Sequence, residues 1–156
     1  MLNQILPPSI DNTYRGHKLA LWLFGVVVFV KTLQSVMVIF NGYTVLTTAD
    51  GIPLDTFSPA AVQTVMSVWS LYGLSRLFIL LLCVLTLIRY RSAIPFMFSL
   101  LALNYLAGEL IVRFVPLGRV GKPAGPLMNF VLFALMIVGL GLSLWNRPRQ
   151  NRFTKL

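Results

Sequence analysis

The chain has 156 residues, 57% hydrophobic and 11% charged, with thirteen Lys and Arg against four Asp and Glu. A soluble domain carries about 25% charged residues, so the composition excludes an ordinary water-soluble domain. The net charge of +9 does not read as nucleic-acid binding either, because the basic residues stand between and beyond long apolar runs rather than on one polar face.

The first apolar run covers about residues 19–40, "LALWLFGVVVFVKTLQSVMVIF", behind Arg15, His17 and Lys18. It does not read as a signal peptide: it is too long, Lys31 interrupts it, and no small-residue cleavage site follows. Residues 41–59 form a loop, in which Asp50-Gly51 marks a turn and Ile52-Pro53 forces extension. Its apolar residues Ile52, Leu54 and Phe57 predict a cap packed on the bundle. Asp50 and Asp55 offer oxygens to a cation, but two carboxylates lack a third ligand, and a solvated turn is the simpler reading. Ser58-Pro59 is an N-cap followed by proline at the first helical position, starting a second helix over about 60–88. Arg91 to Pro95 makes a tight basic hairpin into a third helix over about 94–115. The stretch "PLGRVGKPAGP" is full of breakers and reads as a loop. A fourth helix covers about 126–145, followed by a basic tail, 146–156. Within that helix Gly139 and Ser143 form a small-xxx-small pair, read as packing within the chain before a dimer seam.

Each run reaches the roughly 20 residues that cross a ~30 Å hydrocarbon core, and lipid leaves helix as the economical form. The expected fold is therefore all-α: one integral-membrane domain, 1–156, built as a four-transmembrane-helix bundle. Arg15, Lys18, Arg89, Arg91, Arg147, Arg149, Arg152 and Lys155 fall on one side, and Arg119 and Lys122 on the other. That asymmetry predicts both termini in the cytoplasm.

Lys31, Arg76 and Glu109 fall well inside the spans. Lys31 lies thirteen residues beyond Lys18, and Arg76 thirteen before Arg89. At 1.5 Å per residue both stand roughly 20 Å above the cytoplasmic edge, and Glu109 roughly 22 Å above it. Three helices thus bring charge to one level in the outer half of the membrane. Lys31, Gln34 and Ser35 share a face, as do Tyr105, Glu109 and Arg113. Asn104 and Gly108 lie beside the latter, and Tyr72 is one turn from Arg76. Gln63, Ser67 and Ser70 form a second stripe on the opposite face of helix two, packing on helix one or binding a second subunit. Two readings follow. In the structural one, Glu109 forms an ion pair with Lys31, Arg76 or Arg113. In the functional one, Lys31, Gln34, Arg76, Tyr105, Glu109 and Arg113 line a pocket. The surplus cation there calls for an anion, such as a head group, carboxylate or phosphate. A proton-coupled Glu109 fits less well.

Catalytic and metal signals are missing. Cys83 and His17 are each the one residue of their type, which leaves no cysteine pair, no bis-histidine haem within one chain and no cysteine-built metal site. No nucleophile and base pair up, and no cofactor is expected.

The stretches "IDNTYRGHKLALWLF" and "ADGIPLDTF" resemble segments of uncharacterised small four-helix bacterial inner-membrane proteins. The resemblance implies a bacterial inner membrane and brings no activity with it. The chain lacks the cysteine pairs of quinone-linked disulfide-forming enzymes, and its acid on helix three does not match the first-helix glutamate of small multidrug transporters. The expectation is a non-enzymatic accessory bundle that meets membrane lipids, anionic head groups among them, as a homo-oligomer or beside another membrane protein. A small oligomeric transporter or channel subunit is the alternative. An integral-membrane enzyme acting on a lipid or quinone comes last.

Overall fold

A computed structural model describes Ile5 and residues 11–145. Four long helices carry the fold: α1, Lys18–Phe40; α2, Pro59–Arg89; α3, Ile94–Phe114; and α4, Ala124–Leu144. All four are long and apolar enough to cross a membrane, and no strand occurs among the described residues.

The helix ends follow local chemistry. His17 caps α1, its Nδ1 accepting from the Leu19 N–H at 3.1 Å. Ser58 caps α2, its Oγ accepting from the Ala61 N–H at 3.3 Å, with Pro59 at the first position. The sequence places the start of α4 at Pro126, yet the helix begins two residues earlier, at Ala124. Amides of a first turn have no partner within the helix, so a proline is tolerated there. With 31 residues, α2 is roughly 46 Å long at 1.5 Å per residue. It overshoots a ~30 Å hydrocarbon core.

The packing is uneven. α1 packs extensively on α2 and also on α4, and α4 packs on α3. The contact between α2 and α3 is slight, as is that between α1 and α3. The main core joins Phe24 and Val27 of α1, Leu80 and Cys83 of α2, Ile94 and Phe98 of α3, and Met136 of α4. Phe24 and Phe98 meet edge to face, centroids 5.0 Å apart. Gly139 lets the Phe98 ring sit where a Cβ would be. Gly139 and Ser143 are both buried, so this small-residue face is used inside the chain.

One end of the bundle is tied by the chain entering it. The Asp11 N–H donates to Ser92 Oγ at 2.9 Å, and the Ser92 N–H and Oγ donate to the Asp11 carbonyl at 3.2 and 2.9 Å. The His17 N–H donates to the Leu142 carbonyl at 3.1 Å. Arg15, Lys18, Arg89 and Arg91 therefore gather at this hairpin end. The four basic residues of the tail lie outside the described residues.

At the other end, the segment expected as a loop is largely wound. It forms a helical turn at Gly42–Thr44, a π-helical turn at Val45–Ala49 and a 3-10 turn at Leu54–Thr56. Leu46, Ile52 and Leu54 are buried against Val62, Val65, Met66 and Trp69 of α2. The expected cap thus forms through Ile52 and Leu54, whereas Phe57 is 39% exposed. Gly51 takes a left-handed φ of +71°, which glycine adopts without a Cβ clash. Its carbonyl accepts from the Val120 N–H at 2.7 Å, joining the two segments at this end.

Candidate functional site

Slight contact between α2 and α3, beneath a roof of loops, leaves space. A cavity of about 470 Å³ lies there, within the roughly 300–1,000 Å³ usual for ligand sites. α1 supplies Lys31 and Gln34; α2 supplies Trp69, Tyr72 and Arg76; α3 supplies Asn104, Tyr105 and Glu109. Asn129 comes from α4, and Asp50 and Arg119 come from the two roofing segments. Five of the six residues singled out in the sequence meet here. Arg113 is outside the lining and exposed.

Lys31 is 7% exposed, and its side chain makes no hydrogen bond or ion pair with any described residue. The charge within its electrostatic reach is a like one, the Arg76 guanidinium. Arg76 is half-buried and donates from Nη2 to Gln34 Oε1 at 3.0 Å. That bond holds α1 to α2 and fixes the guanidinium at the cavity wall.

The expected ion pair of Glu109 is not formed. Among the described residues the ion pair is Arg15 with Asp11, at 3.9 Å, far away at the hairpin end. The reason lies in the packing. Lys31 and Arg76 belong to the tightly joined α1–α2 pair, whereas Glu109 stands on α3, which packs on α4. Glu109 is exposed, and its polar neighbour is the Tyr105 hydroxyl on its own helix. The Tyr105 ring stacks on Phe133 with centroids 4.7 Å apart.

Asp50, expected in a solvated turn, is half-buried in the roof. Burial pushes its carboxyl above the usual carboxylate range, and the nearby Arg119 and Arg76 pull the other way. Asp55 is exposed and lies outside the cavity, so the two carboxylates do not converge. Arg119 and Trp69 were also missed. The Trp69 ring lies tilted against Tyr72, centroids 5.7 Å apart, and its Nε1 is buried with no partner. The one sequence signal for Asp50 was its place between apolar residues that dock on α2. Of the second polar stripe, Gln63 and Ser67 are exposed and Ser70 is half-buried.

Lys31, Arg76 and Arg119 thus share a cavity with Asp50 and Glu109, in a wall otherwise largely apolar. Among the described residues no group of three His, Cys, Asp or Glu gathers. Cys83 belongs to the core and His17 to the far end. No family model matches this sequence, and neither a curated protein nor a solved structure matches it.

Proposed function

We propose that this chain is an accessory multi-pass protein of a bacterial inner membrane, with both termini in the cytoplasm. Its outer-half cavity holds the anionic head group of a membrane amphiphile. The observation that carries this reading is Lys31, buried, walling a cavity and without a side-chain partner among the described residues. A charge removed from water is costly unless it is paired, and an anion placed there would supply the pair. Arg76 is fixed beside it by Gln34, and guanidinium suits phosphate or carboxylate. The slight contact of α2 with α3 is where acyl chains would pass from the cavity into the bilayer. A second reading, a small oligomeric transporter or channel subunit, draws on Glu109 and Arg113, both exposed on α3. Charges at such depth usually face a protein interior or a water path.

Thermal unfolding in a neutral detergent tests the first reading. Adding a phospholipid is expected to raise Tm saturably, as a ligand of the folded state does, while uncharged diacylglycerol leaves it unchanged. Lys31→Met is expected to abolish the rise. An equal rise with diacylglycerol, or an undiminished rise in Lys31→Met, would contradict it.

A further inference from the structure

The cavity walls carry charges of both signs that do not close on one another. Lys31 and Arg76 come from α1 and α2, Glu109 from α3, and Asp50 and Arg119 from the roof, and no cation of the described residues comes within 4.0 Å of either carboxylate. Opposite charges that share one low-dielectric space attract strongly when they can reach each other. Here the helix packing holds them apart. Two subsites of opposite sign result.

Resting on the reading that the cavity takes a phospholipid, we propose that its ligand is zwitterionic, a phosphate carrying a primary ammonium a few bonds away. The phosphate sits at Lys31 and Arg76, and the ammonium donates to Glu109 and Asp50. A simple anion would answer Lys31 and leave Glu109 without a cation, while Asp50 has only the pull of Arg119 and Arg76. A simple cation would do the reverse and stand beside an unpaired buried lysine. A head group with both charges answers both at once. The Asp50 carboxyl, lifted by burial despite two arginines nearby, has room for one more positive neighbour. The shared chemistry is found in an aminophospholipid and in free phosphoethanolamine. The slight contact between α2 and α3 favours the lipid, because chains passing there would remain in the bilayer.

The test is a set of titrations followed by thermal unfolding, with short-chain phosphatidylethanolamine, short-chain phosphatidylglycerol and soluble phosphoethanolamine. A hydrogen bond between charged groups supports about a tenfold preference, so phosphatidylethanolamine is expected to half-saturate at about one-tenth the concentration of phosphatidylglycerol. Glu109→Gln and Asp50→Asn should each remove most of that preference while leaving the response to phosphatidylglycerol. Glu109 is exposed, so its amide variant is not expected to disturb folding. Equal or tighter action of phosphatidylglycerol on the unaltered protein would overturn the zwitterion and leave the anion site standing. Soluble phosphoethanolamine acting as tightly as the lipid would overturn the lipid source. No response to any of the three would overturn both proposals.

Discussion

An ammonium largely withdrawn from water raises the free energy of the folded chain when nothing pairs it, and Lys31, 7% exposed, has no charge partner among the described residues. Lys31→Met should therefore unfold at a higher temperature than the unaltered protein when both are stripped of lipid. The gain should fall below the ~1–3 kcal/mol of a fully buried unsatisfied group, because the ammonium opens onto the cavity. Differential scanning calorimetry of the delipidated pair checks the sign. Asp50 offers a second case. Its folded value lies above the unfolded one of about 3.9, so folding favours the protonated carboxyl. The stability this contributes is full below the unfolded value and is lost as pH rises through the folded one. Asp50→Asn escapes that loss. Its Tm should exceed that of the unaltered chain at neutral pH by at most about 2–4 °C, since solvent screens the half-exposed carboxyl. The two curves should meet near pH 4 or below. Lys31, Arg76 and Glu109 were legible in the sequence because a charge within an apolar run is rare. Asp50 and Arg119 were not, because charge in a loop is ordinary and only the folded roof turns it inward. Trp69 reads as an apolar residue of a helix; its stranded N–H is visible only once its neighbours are in place.

The helices themselves were legible nearly to the residue, since their apolar runs, Ser58-Pro59 and the breakers after Val115 leave few choices. Two features escaped. The early start of α4 depends on Pro126 lying within a first turn rather than at its first position. The winding of residues 42–49 depends on docking Leu46 against α2, a tertiary contact that turn-forming residues nearby do not announce. Close helix packing is set by glycine. A methyl at Gly139 would enter the Phe98 ring, so Gly139→Ala should cost about 1–3 kcal/mol through overpacking. Adding Phe98→Leu should recover part of that loss, making the double variant more stable than the sum of the singles predicts. Thermal melts of the four proteins in one detergent measure the coupling. Additive losses would mean that the ring has somewhere else to go.

The bundle as a whole is a tight α1–α2 pair and an α3–α4 pair joined to it mainly through α4. That asymmetry separates the charges the sequence had suggested would pair, and it opens the cavity. The proposed orientation, drawn from the charge count along the loops, puts the hairpin end in the cytoplasm. A cysteine at exposed Gly118 should then react with an impermeant maleimide on intact cells, and one at exposed Arg91 only after lysis. Buried Cys83 leaves both assays free of background. The reverse pattern would invert the molecule and move the cavity to the cytoplasmic half. The most direct test of the bound head group is native mass spectrometry of the protein drawn gently from its own membrane. The account predicts one phospholipid mass per chain on the unaltered protein and none on Lys31→Met. A bare unaltered protein, or the same lipid retained by Lys31→Met, would contradict it.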